Sequence, residues 1–333
     1  MKTPAPIRVC VLGAGLMGRW HAAEATRAGA SVVAIVDSDL ERARRLGPGV
    51  ECHASVEALL NQSSGVDAAH VCTPLETHVA IAEELIERRI HALIEKPLTD
   101  SAAEAEALIG RAAEAGTIVC PVHQFLFQRG ALEARQAIPK LGRIVEMNAV
   151  FHSAGGEGRP ENRLDDIVAE ILPHPLSLLQ GFLNGGLDSA AWTTSRPAAG
   201  ELRALGTSSE TALSIVISMS SRPPVCAFEI KGSAGTLRLD LFHGFSTLET
   251  GSSSRASKIG QPFKQSLSTL AAAASNLGRR AVSGETAYPG LRRLVRLFYK
   301  SIGNGLESPI PVGDVIAVAR ARDLLLAQDQ RAQ

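Results

Sequence analysis

Three glycines near the start of the chain have the spacing of a turn that can hold a phosphate. Gly13, Gly15 and Gly18 follow the apolar run IRVCVL and precede a helical pattern, with Leu16 and Met17 between the last two. In a G-x-G-x-x-G turn the first glycine permits a tight bend, the second lets a pyrophosphate approach the backbone, and the third lets helix and strand pack closely. The helix N-terminus adds a positive dipole. Because the motif lies between a strand and a helix, it predicts dinucleotide binding.

An acidic residue closes the second apolar run. Asp37 ends SVVAIVD, about 20 residues beyond Gly18, where a ribose-binding carboxylate is expected. Because this carboxylate can accept hydrogen bonds from both ribose hydroxyls and repels a 2′-phosphate, we predict NAD, with NADP less favoured. Ser38 is expected to contact the same cofactor. Because Ser38 and Arg42 lie close to Asp37 in the sequence, NADP stays open as an alternative. The alternative is that Asp37 caps the next helix, although Ser38 or Asp39 could do so equally well.

Lysine is rare in this chain, and one lysine ends a strand that looks buried. Only seven of the 34 basic residues are lysine, and Lys96 follows HALIE in the tripeptide Glu95-Lys96-Pro97. Ligands of open α/β sheets lie beyond the carboxyl ends of the strands, so Lys96 is expected to face the cofactor. Lysine suits proton transfer because desolvation readily lowers its pKa. A solvated lysine at a strand end is the alternative.

A histidine with an acidic residue four positions earlier is the second acid–base candidate. Glu170 and His174 share one face if the segment is helical, so the carboxylate could orient the imidazole and leave its other nitrogen for a substrate hydroxyl. Pro173 and Pro175 predict a kink here, because interior prolines remove helical hydrogen bonds. The alternative is a histidine whose ring is satisfied within the core.

The elements that must position these residues alternate regularly over the first 122 residues. Five apolar runs predict strands: IRVCVL, SVVAIVD, DAAHVCT, HALIEK and TIVCPV. They are apolar on both faces and are separated by helical patterns, several of which end at glycine. This alternation predicts a Rossmann domain over residues 1–122, an α/β fold with a doubly wound parallel sheet.

After about residue 140 the pattern changes to consecutive strands, most with one polar and one apolar face. These are RIVEMNAVFHS, DSAAWTTS, TALSIVISMS, VCAFEIKG and TLRLDLF. Only DDIVAEILPHPLSLLQGFL interrupts them as a helical pattern, and STLETGSSSRASKIGQ predicts a loop. Helices are expected near 264–282, 288–303 and 313–328. Residues 123–333 therefore predict an α+β domain with an open, largely antiparallel mixed sheet, whose C-terminal helix can pack back on the first domain.

The composition excludes several classes of protein. Acidic and basic residues balance at 34 each, so the positive charge of a nucleic-acid binder is missing. No apolar run of about 20 residues is present to span a membrane, and the first residues do not resemble a signal peptide. Five scattered cysteines predict reduced thiols in a cytoplasmic protein. No cluster has metal-ligand spacing, and we interpret Arg129, Arg159 and Arg163 as solvated surface.

These motifs together resemble the Gfo/Idh/MocA oxidoreductases, the glucose–fructose oxidoreductase and inositol dehydrogenase type. The resemblance rests on GAGLMGRWH at 13–21, Asp37, VCTPLETHVAIAEELI at 71–86, EKPLT at 95–99 and ILPHPLSLL at 171–179. It extends to the tail GLESPIPVGDVIAVARARDLLLA and so covers essentially the whole chain. It implies that the second domain supports substrate binding and subunit association.

The resemblance also assigns roles to residues that follow the third and fourth parallel strands. Thr73 and Pro74 would line the ribose and nicotinamide side of the cofactor, and His78 would reach the same crevice. Glu95 would touch the nicotinamide ribose. Pro97 is expected to follow a cis peptide, a form largely confined to bonds before proline.

On the substrate side, the resemblance implies that Lys96 contacts the reacting hydroxyl and the cofactor. His123 and Gln124 would contact the substrate, as would His174, with Glu170 positioning the histidine. The family commonly has Asp-x-Gly-x-His-x-x-Asp at this place, whereas this chain has EILPHPLS, with a serine at the second Asp position. These departures leave open the identity of the substrate and whether Lys96 or His174 is the principal base.

We therefore expect an NAD-dependent oxidoreductase that transfers a hydride between nicotinamide and a hydroxyl carbon of a small polyhydroxylated substrate. A sugar, a sugar nucleotide or a cyclitol would fit. A homodimer or homotetramer is expected if the free face of the open sheet needs cover. Two alternatives stay open: lyase, hydrolase or epimerase chemistry with tightly bound, recycled NAD, and a non-catalytic NAD-sensing regulator.

Overall fold

The computed structural model describes residues 5–62, 65–251 and 255–329. Packing divides the chain into two units. The first unit comprises Met1–Val122 and Leu291–Ala319, and the second comprises His123–Gly290 and Arg320–Gln333. The last residues of the first unit therefore come from far along the chain.

The first unit is built on a six-stranded parallel sheet in the order β3-β2-β1-β4-β5-β6. The strands are β1 (Arg8–Leu12), β2 (Ser31–Val36), β3 (Glu51–His53), β4 (Ala68–Val71), β5 (His91–Ile94) and β6 (Val119–Pro121). The helices between them are α1 (Leu16–Arg27), α2 (Leu40–Leu46), α3 (Val56–Gln62), α4 (His78–Glu87) and α5 (Ala102–Glu114).

The central strands β1 and β4 are buried and largely apolar because helices cover both faces of the sheet. Val9, Cys10, Val11 and Leu12 of β1 are all fully buried, as is every residue of β4. The predicted doubly wound sheet is confirmed. The short edge strand β3 was not predicted, because its three residues, ECH, carry no apolar run.

The second unit contains a seven-stranded sheet in the order β13-β12-β11-β7-β10-β9-β8. Its strands are β7 (Ile144–His152), β8 (Ala191–Ser195), β9 (Glu201–Ser208), β10 (Thr211–Ser218), β11 (Val225–Gly232), β12 (Gly235–Asp240) and β13 (Phe245–Thr250). Strands β7 and β10 pair in parallel, and the other neighbours pair antiparallel. The predicted mixed, largely antiparallel sheet is confirmed.

Four helices of this unit precede the C-terminal pair. They are α6 (Arg129–Ala137), α7 (Glu161–Ile171), α8 (Pro173–Phe182) and α9 (Arg255–Ser283), followed by α10 (Leu291–Asn304) and α11 (Val312–Asp329). Helix α7 ends at Ile171 and α8 begins at Pro173, so the helical pattern is interrupted at Leu172, beside the two prolines from which a kink was predicted. Helix α6 was not predicted.

The loop predicted for STLETGSSSRASKIGQ was wrong at both ends. Residues 246–250 belong to β13, which pairs with β12 through contacts such as Leu237 opposite Leu248. The stretch from residue 255 begins the long helix α9, and residues 252–254 lie outside the described residues. Threonine is common in strands, and the pairing with β12 overrides the turn-like composition of this stretch.

Two further observations bear on predictions from composition. The five cysteines, at 10, 52, 72, 120 and 226, are free thiols. Among the described residues, no helix is both long enough and apolar enough to cross a membrane.

Candidate cofactor and substrate sites

The glycine turn joins β1 to α1, and its three glycines meet different surroundings. Gly13 has φ +92°, and a Cβ there would lie 2.5 Å from the carbonyl oxygen of Cys72. A Cβ on Gly18 would overlap the carbonyl oxygen of Gly13. Packing therefore requires both glycines. By contrast, no atom lies within 4 Å of the position that a Cβ on Gly15 would occupy. The space above Gly15 is open to a ligand.

The N-terminus of α1 faces this space without a competing side chain. Gly15 is the N-cap, no side chain caps the helix, and its first turn contains no acidic residue. Leu16 is 63% exposed and Met17 is half-buried. Backbone N–H groups and the positive end of the helix dipole thus remain for an anion. These groups fit the pyrophosphate of a dinucleotide.

Asp37 follows β2 and holds the glycine turn in place. Its carboxylate is almost buried and accepts hydrogen bonds from the backbone N–H groups of Ala14 (2.8 Å) and Asp39 (2.9 Å). The alternative that Asp37 caps α2 is wrong, because Asp39 is the N-cap and accepts from the first-turn N–H groups. The Arg42 guanidinium lies 3.7 Å from the Asp37 carboxylate, and Ser38 is exposed beside it.

His78 connects the loops that follow β4 and β5. Its Nε2 lies 2.9 Å from the carbonyl oxygen of Thr73, and its Nδ1 lies 2.9 Å from that of Pro97. Thr73 also accepts a hydrogen bond from the hydroxyl of Thr77 (2.7 Å), and Pro74 lies at the start of the intervening turn. Both nitrogens of the buried His78 ring therefore face backbone oxygens, so this side chain fixes the two loops to one another.

Glu95 and Lys96 directly follow β5 and lie in different environments. Glu95 is almost buried, and its Oε1 lies 3.0 Å from His21 Nε2 while its Oε2 accepts from the Lys96 backbone N–H (3.2 Å). Burial raises the pKa of Glu95, but the hydrogen bond from His21 and the charges of His21 and Lys96 together outweigh it and lower the pKa. Lys96 is half-buried. The Lys96–Pro97 peptide is cis, as predicted.

A row of buried polar rings behind Glu95 was not found from the sequence. His21 Nδ1 lies 2.9 Å from His70 Nδ1, and His70 Nε2 lies 2.8 Å from the hydroxyl of Tyr299. His21 comes three residues after Gly18, and that was the only signal available for it. The distant Tyr299 could be found only from the fold, because it belongs to α10.

The first-unit candidates lie at one edge of the sheet. The glycine turn follows β1, Asp37 follows β2, Thr73 follows β4 and Glu95 follows β5. These strands are adjacent in the order β2-β1-β4-β5, and the chain reverses direction across the sheet between β1 and β4. A crevice at that reversal is where open α/β sheets bind their ligands.

In the second unit, aromatic rings hold His174 at the start of α8. The imidazole stacks on Phe151, with ring planes 10° apart and centroids 6.3 Å apart, and it contacts Phe125 at 4.6 Å. Ser177 donates a hydrogen bond to the His174 backbone carbonyl (2.9 Å). Glu170 is exposed on α7, across the break from the buried histidine. The ring stacking orients His174, a feature that the spacing to Glu170 does not reveal.

His174 and Gln124 line a cavity of about 820 Å³ within this unit. Gln124 is 6% exposed, and its buried Oε1 has no hydrogen-bond partner among the described residues. A buried acceptor without a partner carries a desolvation cost, which a ligand hydroxyl would remove. His123 lies one residue earlier and is also buried. The cavity is lined further by Phe125, His243 and Tyr288.

Two of the arginines interpreted as solvated surface form ion pairs within helices. Arg129 pairs with Glu133 and Arg163 with Asp166 on exposed helix surfaces, which supports their interpretation as solvated residues. Within the described ranges, no group of three His, Cys, Asp or Glu side chains could hold a metal ion.

A glycine turn after β1, an aspartate directly after β2 and a parallel sheet with this strand order are the features of a dinucleotide-binding domain of the Rossmann type. Residues 7–123 match the GFO_IDH_MocA family model, described as an oxidoreductase family with an NAD-binding Rossmann fold. The resemblance predicted from the sequence motifs is confirmed over these residues, which match the model of that family.

Curated relatives match part of the chain. UDP-N-acetylglucosamine 3-dehydrogenase of Acidithiobacillus ferrooxidans is 35% identical over 160 residues, which cover 44% of this chain and 50% of that protein. Inositol 2-dehydrogenase 4 of Saccharopolyspora erythraea is 44% identical over 115 residues, covering 32% of this chain and 34% of that protein. The matches therefore span half or less of these curated relatives.

The fold likeness extends further than the sequence likeness. A solved structure of UDP-N-acetylglucosamine 3-dehydrogenase from Acidithiobacillus ferrooxidans has a TM-score of 0.75 to this chain at 22% identity. The superposition covers 97% of this chain and 98% of that one. The architecture of both units thus recurs in a solved protein.

Proposed function

We propose that this protein is an NAD-dependent dehydrogenase that acts on a hydroxyl carbon of a sugar, a sugar nucleotide or a cyclitol. The observation that carries the proposal is the open space above Gly15, bordered by the uncapped α1 N-terminus and the Asp37 carboxylate. The names of the relatives support the substrate class. The proposal includes a cytoplasmic location and a homodimer or homotetramer. The exposed apolar side chains of Phe263, Leu270 and Leu277, spaced seven residues apart on α9, support the association of subunits.

Three parts of the first unit bind different portions of the cofactor. The glycine turn and the α1 N-terminus bind the pyrophosphate, while Asp37 binds the adenosine ribose. Thr73, Pro74 and Glu95 hold the nicotinamide end, and His78 keeps the loops carrying them together. When bound, nicotinamide supplies the hydride acceptor or donor, whereas the protein supplies placement and proton transfer.

Proton transfer is assigned to Lys96, with His174 as the acid–base or substrate ligand of the second unit. The side chain of Lys96 exchanges a proton with the reacting hydroxyl. His174, whose ring stacks on Phe151, lines the cavity of the second unit, where Gln124 Oε1 accepts a hydrogen bond from a substrate hydroxyl. His123 directly precedes Gln124 in the chain and is also assigned to substrate binding.

The proposal is tested with the purified wild-type protein. Bound nucleotide is identified after denaturation, and NADH absorbance is followed with NAD or NADP across a panel of sugars, sugar nucleotides and cyclitols. Formation of NADH with one of these substrates supports the dehydrogenase. Net conversion of a substrate without any change in free NADH would instead support recycled cofactor, and binding of NAD without conversion would support a regulator.

Replacing Asp37 is expected to change the cofactor preference. Asp37→Asn keeps an acceptor for the Ala14 N–H but removes the negative charge, so kcat/KM with NAD falls while kcat/KM with NADP rises. We expect the ratio of the two to shift toward NADP by about tenfold, or about 1.4 kcal/mol. Initial rates with both cofactors measure it.

The matched control is Asp39→Asn. It alters a neighbouring aspartate that caps α2, and asparagine caps helices as well as aspartate does. The cofactor ratio of this variant should stay at the wild-type value. A ratio unchanged in Asp37→Asn, or shifted equally by both variants, would contradict the assignment of the adenosine ribose to Asp37.

Substitutions in the second-unit cavity are expected to affect the substrate rather than the cofactor. Gln124→Leu removes the partnerless oxygen at similar volume, so the KM of the substrate should rise about tenfold for a lost hydrogen bond of about 1–1.5 kcal/mol. His174→Asn should lower kcat as well. Glu170→Gln should have a smaller effect than His174→Asn, because Glu170 is exposed.

Steady-state kinetics and NAD titration distinguish these outcomes. The Kd of NAD should remain at the wild-type value in all three variants, since none of them belongs to the unit that binds the cofactor. A wild-type substrate KM in Gln124→Leu would remove this cavity from the substrate site.

A further inference from the structure

The buried polar rings behind Glu95 form a continuous hydrogen-bonded row across the first unit. Tyr299 contacts His70 at 2.8 Å, His70 contacts His21 at 2.9 Å, and His21 contacts Glu95 at 3.0 Å. His21 and His70 are fully buried and Tyr299 is 7% exposed. Polar groups are costly to bury unless each one is paired. The row links the buried face of α10 to the carboxylate that ends β5.

The fold brings the row together from four elements. His21 lies on α1, His70 on β4, Glu95 at the end of β5 and Tyr299 on α10. Helix α10 is held against α1 by Arg292, which donates to the buried Glu24 carboxylate at 2.6 Å. Tyr299 comes 229 positions after His70. Their contact therefore depends on the tertiary fold and not on neighbouring positions in the chain.

The hydrogen bonds of the row can be completed in one direction. An ionised Glu95 carboxylate only accepts, so His21 Nε2 must donate to it. His21 Nδ1 then accepts from His70 Nδ1–H, and His70 Nε2 accepts from the Tyr299 hydroxyl. Every polar atom between the phenol and the carboxylate is satisfied in this arrangement, with both histidines neutral.

A second arrangement of the hydrogens exists when His21 carries a proton on both nitrogens. Its Nδ1–H then donates to His70 Nδ1, and His70 moves its own hydrogen to Nε2 and donates to the Tyr299 oxygen. In both arrangements His21 Nε2 donates to Glu95. The donor to the carboxylate is therefore kept whether or not His21 is protonated.

We propose that Tyr299, His70 and His21 are positioning residues that hold Glu95 oriented and ionised for the cofactor. The inference rests on the proposed function, in which Glu95 binds the nicotinamide ribose. An ionised carboxylate accepts hydrogen bonds from ribose hydroxyls, whereas a protonated one offers a donor in place of an acceptor. With Oε1 engaged by His21 and Oε2 by the Lys96 backbone, Glu95 has one orientation.

The titratable groups around the row support an ionised Glu95. Burial and the charge of His21 lower the pKa of His70 well below its ordinary value, so this ring is neutral. Burial, with a contribution from Cys10, raises the pKa of Tyr299, so its hydroxyl keeps its hydrogen. Burial, followed by the charge of Glu95, raises the pKa of Cys72. Of the groups facing Glu95, His21 and Lys96 favour its ionised form.

The sign of the pH effect follows from these causes. Burial raises the pKa of Glu95, but in the wild-type protein His21 and Lys96 together outweigh burial and lower it. In His21→Leu the burial remains and the donor is gone, so the pKa of Glu95 rises. The affinity for NAD depends on the ionised form of Glu95. On acidification, His21→Leu should therefore lose this affinity at a higher pH than the wild-type protein does. His21→Gln can supply an amide donor and should restore part of the wild-type profile.

Two readouts test the proposal on the full chain. The first is the pH dependence of the Kd of NAD by calorimetry for wild type, His21→Leu, His21→Gln and Tyr299→Phe. The second is the titration of the Glu95 carboxyl carbon by NMR with ¹³C-labelled glutamate, assigned with Glu95→Gln, which needs no cofactor. We expect the acid limb and the carboxyl midpoint of His21→Leu both to shift upward by about one pH unit, corresponding to about a tenfold change in protonation equilibrium.

Tyr299→Phe is the mildest perturbation, because it removes only one hydroxyl. It should change the ¹⁵N chemical shift of His70 Nε2 and move the Glu95 midpoint less than His21→Leu does. Coincident carboxyl titrations in wild type and His21→Leu would overturn the proposal, as would an unchanged His70 shift in Tyr299→Phe. If the wild-type protein bound no NAD while the carboxyl midpoint still shifted, the proposed function would fail but the row would stand.

Discussion

Lys96→Met is expected to reduce kcat by about 10²–10⁴-fold, the range that a positioned acid–base group contributes. The substitution keeps the length and much of the apolar stem of the half-buried side chain but removes its exchangeable proton. The Kd of NAD should change much less, because the glycine turn and Asp37 are untouched. Single-turnover measurement of NADH formation, together with NAD titration, separates the two effects.

Lys96→Arg distinguishes proton transfer from simple charge. Arginine stays protonated at all accessible pH values, so it keeps a positive charge beside Glu95 but cannot exchange a proton with the substrate hydroxyl. We expect it to be nearly as slow as Lys96→Met. An arginine variant with near wild-type kcat would assign Lys96 an electrostatic role only.

The control for both variants is Lys140→Met, an exposed lysine in the short helix Ile138–Leu141 of the second unit. It should leave kcat, KM and the Kd of NAD unchanged. Wild-type turnover in Lys96→Met would remove Lys96 from the reaction and leave His174 as the principal base.

The first unit was predictable from the sequence because its candidate binding residues directly follow strands that are recognisable from their apolar sequences. The glycine turn and Asp37 follow apolar strands, and parallel strands place their carboxyl ends at one edge. Lys96 could be placed by the same logic. The strand boundaries agree to within a few residues, and only the polar edge strand β3 was missed.

What the sequence could not show depends on contacts between distant residues. Nothing in the spacing of His21, His70 and Tyr299 indicates that their rings meet, since they come from three elements and α10 joins the first unit from far along the chain. In the second unit, the pairing of His174 with Glu170 was inferred from helical spacing. The stacking on Phe125 and Phe151 depends on side-chain packing that spacing does not encode.

Gly15→Ala is expected to weaken NAD binding strongly while leaving the fold intact. A Cβ at this position meets no protein atom within 4 Å, and the backbone has φ −73°, which alanine adopts without strain. The methyl group would instead occupy the space assigned to the pyrophosphate. We expect the Kd of NAD to rise about a hundredfold, or about 2.8 kcal/mol, with a melting temperature close to the wild-type value.

Gly18→Ala should behave differently, because its Cβ would overlap the carbonyl oxygen of Gly13 and the turn must shift to relieve it. This variant should lose about 1–3 kcal/mol of stability, as overpacked substitutions do, and lose NAD affinity as well. Gly110→Ala, at an open position inside α5, is the control and should raise stability by about 0.5–1 kcal/mol without changing the Kd.

The separation of affinity from stability at Gly15 is the decisive result, because only a ligand lying above Gly15 would make a methyl group there unfavourable. A wild-type Kd in Gly15→Ala would mean that the pyrophosphate lies elsewhere, and the assignment of the turn as the cofactor site would fail.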